Sequence, residues 1–309
     1  IADGDWSSDV CSSDLLGLLM LLVVLHDFGL AGPLALPARL AGGALGLALV
    51  VGGLVASTFH LANPRNAWKA FNRFRTSWLS REGVFSVLLL ALAALYLGGL
   101  WLGRGGAPAL HVLAALVLAA ALATLYSTAM IYASLKPIRQ WHNPVVPPMY
   151  LLMGLATGGV LLAAIEAFAG GPGPVTAGVT LALLAAAAAV KAFYYARIAR
   201  PAGPTINTAT GMTRAQVRLL DTGHSHGTFL TKEFGHALRG LPPGVLRGAV
   251  FVLAFAVPAV VVAALARGAA PAYGALGVAA TLAGTLVERW LFFVEARHTV
   301  NLYHGAQHT

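Results

Sequence analysis

Polar side chains occur along most of this chain between long apolar runs and seldom within them. Eight apolar stretches follow one another, at roughly Leu15–Gly32, Leu40–Leu61, Gly83–Leu102, Leu110–Ala133, Met149–Ala169, Val175–Ala196, Gly248–Ala266 and Tyr273–Phe293. A helix needs about 20 apolar residues to cross the hydrocarbon core of a bilayer, and most of these runs are of that length. Gly/Pro clusters such as AGPLALP, GRGGAPA, AGGPGPV and RGAAPA separate them and read as tight turns at the bilayer surface. The connection from Arg197 to Arg247 is polar and too long for a turn. Two pieces of it, Thr213–Leu220 and Thr231–Arg239, are expected as surface helices. The expected fold is all-α: a polytopic transmembrane helical bundle of about eight spans, the first truncated.

Composition agrees. Of 309 residues 58% are hydrophobic and 10% charged, where a soluble domain carries about 25% charged residues. The opening segment departs from this pattern. DWSSDVCSSDL (Asp5 to Leu15) is Ser/Asp-rich and lacks the basic start and cleavage site of a signal peptide. It reads as a translated sequencing adapter joined to a truncated gene, so residues 1–15 are expected to be non-native and 16–309 to form the membrane domain. The single cysteine, Cys11, falls in that segment, which leaves the rest without disulfides, thiolate metal sites or cysteine-held clusters. Asp3, Asp5, Asp9 and Asp14 fall there too, so the remainder is more basic than the formal +9. In a membrane protein this points to cytoplasmic loop charge or an acidic partner, and nucleic acid is not expected.

The charge is concentrated on one face. Arg65, Lys69, Arg73, Arg75 and Arg81 lie in one loop, Lys136 and Arg139 in the next on that side, and seven more in the long connection. The other face has Arg39, Arg104 and Arg267. The positive-inside rule places the basic face, and both termini, in the cytoplasm.

Ionisable residues at membrane depth are functional candidates by default. A bis-histidine haem needs histidines inside facing spans, but His26, His60, His111 and His142 fall at span edges, so no haem or metal is expected here. Lys191 lies about a turn inside a span's basic end and is expected to snorkel to the surface. His60 ends the second span and Glu82 begins the third, at the same membrane surface. An imidazole and a carboxylate there can bind a quinone head group and take the proton released when a quinol is oxidised. They can equally cap their helix ends, and spacing leaves both roles open. Between them WKAFNRFR sets Trp68, Phe71 and Phe74 among Lys69, Arg73 and Arg75, the pattern of an interfacial helix facing lipid head groups or an acidic subunit. In the last span Glu288, Arg289 and Glu295 either lock the bundle or help to hold a quinone.

The stretch HLANPRNAWKAFNRFRTSWLSRE (His60–Glu82) resembles the signature region of the membrane-anchor subunit family of dimethyl sulfoxide reductase, with Ala62 where that family usually has glycine. ERWLFFVEARHTVNLYHG resembles its closing helix. The resemblance implies eight spans in the bacterial cytoplasmic membrane and a site that oxidises menaquinol. Electrons would pass to a ferredoxin-like iron–sulfur subunit and a molybdopterin catalytic subunit in anaerobic respiration. It assigns quinol binding and proton acceptance to His60 and Glu82, with Arg75, Ser80 and Arg289 as supporting candidates. Twin-arginine signals on the catalytic subunits of family members would put the docking face in the periplasm, against the charge count. A passive anchor without a quinol site stays open. So does a small-solute transporter, which requires polar groups or discontinuous helices near the midplane, where these Ala/Leu/Gly/Val-rich spans have few polar residues.

Overall fold

A computed structural model describes residues 16–59, 64–200, 203–221 and 242–308. Seven helices are long and apolar enough to cross a membrane, and a shorter apolar helix precedes them. In chain order these are α1 (Leu16–Asp27), α2 (Leu36–Phe59), α3 (Trp78–Trp101), α4 (Pro108–Ala133), α5 (Val146–Phe168), α6 (Pro174–Ala199), α7 (Pro243–Leu265) and α8 (Ala272–Val294). The protein is a multi-pass membrane protein. Among the described residues the remaining pairing consists of two isolated bridges, Ile138 with His298 and Thr205 with His308.

Successive helices alternate in direction, so the C-terminal ends of α2, α4, α6 and α8 share the basic face with the N-terminal ends of α3, α5 and α7. Proline in the first turn starts α4, α5, α6 and α7, where its missing N–H is not needed. α5 is the central helix and is buried over most of its length, whereas α2 and α3 turn much of their surface outward. Outward residues such as Leu95, Trp101, Phe168 and Val260 are strongly exposed, as suits a lipid solvent.

Two glycine contacts set the tightest crossings. α1 lies across Gly154 and Gly158 of α5: a Cβ on Gly17 would stand 1.9 Å from the Gly154 oxygen, and one on Gly158 would stand 2.1 Å from the Gly17 carbonyl carbon. This is the close backbone approach that a small-xxx-small pair permits. α7 carries a π-helical segment, Phe251–Ala256, just before Pro258. Pro258 cannot donate to the carbonyl four residues back, and the widened turn accommodates that loss. Gly284 of α8 closes on the same place, where its Cβ would meet the Ala254 nitrogen at 2.3 Å.

The surface pieces differ in part from expectation. Pro64–Arg73 is helical but wound as a 3₁₀ helix, with Trp68, Phe71 and Phe74 exposed. Residues 213–220 form no helix. Among the described residues of this connection the short helix is Ile206–Thr210, started by a reciprocal Thr205/Thr208 capping box and stopped by Gly211 at φ +75°. Thr231–Arg239 lies outside the described residues, as do residues 1–15.

Candidate functional site

At the basic end of α3, the Ser77 side chain accepts from the Ser80 backbone N–H at 3.4 Å and starts the helix. The helix opens earlier than the apolar run suggests, so Glu82 stands in its second turn and does not serve its N-terminus. The carboxylate instead reaches across to α4, where the Thr128 hydroxyl donates to Oε1 at 2.6 Å. The same hydroxyl lies 3.1 Å from the Thr124 carbonyl. One hydroxyl proton serves one acceptor well at a time. With Glu82 ionised, Thr128 donates to it. With Glu82 protonated, the carboxyl donates to Thr128, which turns its own proton back to Thr124 as helical threonines commonly do. The carboxyl can thus gain or lose a proton while the heavy atoms stay in place. Two residues earlier, the Ser80 hydroxyl is buried and has no hydrogen-bond partner among the described residues, a rare condition for a buried polar group.

Arg81 fastens the preceding loop to this corner. Its Nε donates to the Phe74 carbonyl at 3.0 Å, another guanidinium nitrogen donates to the Arg75 carbonyl at 2.8 Å, and the group stacks 4.1 Å over Trp78. Phe74 meets Phe85 edge-on at 5.8 Å. Arg75 contributes its carbonyl here and exposes its side chain. His60, the expected partner of Glu82, lies outside the described residues.

Arg289 belongs to a different cluster, further round the bundle where α8 packs on α5 and α7. Its guanidinium is 3.3 Å from Glu288 and stacks 3.7 Å over Tyr150. Lys191 of α6 joins the same carboxylate. Lys191 does not snorkel: its side chain is 0% exposed, hydrogen-bonded to Glu288 and faced by the rings of Tyr194 and Tyr195 at 4.6 and 4.7 Å. A carboxylate and two π faces within reach make the inward rotamer better than a stretch to the surface. Nearer the surface, Arg247 of α7 pairs with Glu295 at 2.7 Å. Beside this cluster Trp141, from the Pro-rich connector, is fully buried and donates to the Phe292 carbonyl at 2.9 Å.

A third cluster, at the opposite face, has no counterpart among the expectations from sequence. His26 lies 2.8 Å from Glu166, which also accepts from the Thr176 hydroxyl at 3.0 Å and the Gly173 N–H at 3.1 Å. The adjacent Asp27 pairs with Arg39 and accepts from the Tyr96 hydroxyl. The available signal was the HD pair at the end of one run with a lone arginine opening the next. Among the described residues no group of three or more His, Cys, Asp or Glu could hold a metal.

The sequence matches the profile of the DMSO reductase anchor subunit (DmsC) family over residues 37–294. The chain belongs to that family. It is also 35% identical over 276 residues to a sulfite dehydrogenase subunit of Allochromatium vinosum, an alignment that covers 85% of each chain. The match to the DMSO reductase anchor family takes in every helix from α2 to α8, so the bundle is that of a membrane-anchor subunit. Anchor subunits of this kind work beside catalytic and electron-transfer partners in a membrane-bound complex. The Glu82 corner lies on the more basic of the two faces.

Proposed function

We propose that this anchor subunit binds a quinol at the Glu82 corner and passes its electrons to an iron–sulfur subunit serving a molybdopterin enzyme in the bacterial cytoplasmic membrane. The observation that carries the reading is the Glu82–Thr128–Thr124 relay beside the buried Ser80 hydroxyl, which has no partner among the described residues. Quinol oxidation releases two electrons and two protons. A carboxylate that can be protonated in place suits one proton, the His60 imidazole carried over from the family resemblance suits the other, and the Ser80 hydroxyl suits the quinol oxygen. His60 also supplies the second polar contact, and menaquinol is the proposed quinol. The chain has no cysteines past residue 15, which is why the electrons are assigned to a partner's clusters.

The likeness to a sulfite dehydrogenase subunit favours a second reading in which flow is reversed. Electrons drawn from a sulfur substrate would reduce the quinone, and Glu82 would deliver the proton instead of taking it. The site is the same in both directions.

Glu82→Gln in the assembled complex tests the site. The expected result is normal membrane assembly with quinol-dependent turnover lowered about 10²- to 10⁴-fold, the usual worth of a positioned acid–base group. Full turnover in that variant would sink the assignment and leave a passive anchor. Assaying the wild-type complex with quinol plus dimethyl sulfoxide, and with sulfite plus a quinone analogue, separates the two directions.

A further inference from the structure

We propose that a recess at the basic face, between the α4–α5 connector and the C-terminal end of α6, binds the phosphate group of an anionic phospholipid. The recess has a volume of about 270 Å³ and is lined by Arg139, His142, Asn143, Arg197, Ile198 and Arg200. Three guanidiniums line one small hollow, and no carboxylate of the described residues forms an ion pair with any of them. Arg139 donates to the carbonyls of Arg197 (3.4 Å) and Arg200 (2.9 Å), which fixes it against the end of α6. His142 donates through Nδ1 to the Ala133 carbonyl at 2.7 Å, which fixes its ring. Among the described residues the Arg197 and Arg200 side chains make no contact of that kind, and both are exposed. The hollow is thus a rigid floor with two free cationic arms.

The surface below it identifies the ligand as a lipid. Ala189, Phe193 and Arg197 follow at helical spacing on one exposed face of α6, and Arg200 lies just past the end of the helix, also exposed. Phe193 is 57% exposed, and Leu135 at the end of α4 is 38% exposed. An apolar, lipid-facing stripe therefore runs up into a cluster of guanidiniums at the level where the helices leave the bilayer. A phospholipid offers both halves of that pattern, with chains along Phe193 and a phosphate among the arginines. Free phosphate offers only the second. An acidic protein segment would ask for a broader and flatter basic surface than this hollow.

The test is native mass spectrometry of the delipidated full chain, with phosphatidylglycerol or phosphatidylcholine added back. The wild type is expected to retain phosphatidylglycerol, and to keep it in excess inorganic phosphate. Arg197→Gln/Arg200→Gln should weaken retention about 10- to 30-fold, from the usual contribution of two cations at a membrane surface. Arg139 stays in place in that variant because it holds the end of α6. Arg214→Gln/Arg218→Gln, on the same face, should retain the lipid as the wild type does. Four results would each overturn the proposal: equal retention by the wild type and the first variant; equal loss in both variants; displacement of the lipid by inorganic phosphate; or unchanged lipid retention with loss of soluble subunits from the complex.

Discussion

Lys191 shows what a single residue contributes when it is enclosed. Its ammonium touches Glu288, the Met149 sulfur at 3.6 Å and two tyrosine rings. Lys191→Met removes one cation from a buried carboxylate, and losing one partner of a buried pair typically costs about 3–5 kcal/mol. Arg289 remains beside Glu288, so a loss near the lower end is expected, read as an earlier thermal transition of the detergent-solubilised chain. An unshifted transition would mean that the pair adds nothing to stability. The inward turn was not legible from the chain, because a lysine one turn from a helix end can face either way. The carboxylate on α8, nearly a hundred residues further along, decides it. Glu82 was more legible, since a carboxylate near the start of an apolar run stands out. Its partner Thr128 was not, because a threonine in the middle of a helical run gives no local sign of which neighbour it meets.

At the scale of elements, the crossing of α1 and α5 rests on bare backbone. Gly158→Val would drive a branched side chain into Gly17, where even a Cβ has no room. The expected outcome is a chain that still inserts but fails to give a monodisperse bundle by size-exclusion chromatography. Gly178→Ala, with nothing within 4 Å of the added Cβ, should behave as the wild type. Helix existence was readable for every span because apolar length alone announces it. The ends were less so: α2 begins at Leu36 and α3 at Trp78, where Pro37 and Ser77 set the start among residues that look like loop. The GxxxG spacing of Gly154 and Gly158 was present in the sequence, but its partner helix was not.

Across the whole molecule, the tail after α8 ties the basic face together. The Thr299 N–H donates to the Pro137 carbonyl at 3.0 Å, the Arg297 N–H to the Gln140 side chain at 3.2 Å, and the Ile206 N–H to the Gln307 carbonyl at 3.2 Å. His298 sits at this junction, its Nδ1 accepting from the Val300 N–H at 3.0 Å. Burial holds its pKa below the ordinary histidine value of 6.5. The released tail therefore binds a proton more readily than the docked one. Docking is complete above that value and weakens as the pH falls below it. The protection factors of the Thr299 and Val300 amides against hydrogen exchange should accordingly fall on acidification, and His298→Gln should remove most of that dependence. A pH-independent protection factor in the wild type would contradict it.

The Gly17 contact also has a consequence for how the chain is made. Every residue of Leu16–Leu22 is buried against protein, yet the helix that covers this one, α5, leaves the ribosome about 140 residues later. At ordinary synthesis rates that interval is on the order of ten seconds. During it α1 has only lipid, or a provisional neighbour, against a surface shaped for another backbone. A helix made early, α1, is thus among the last to find its final place.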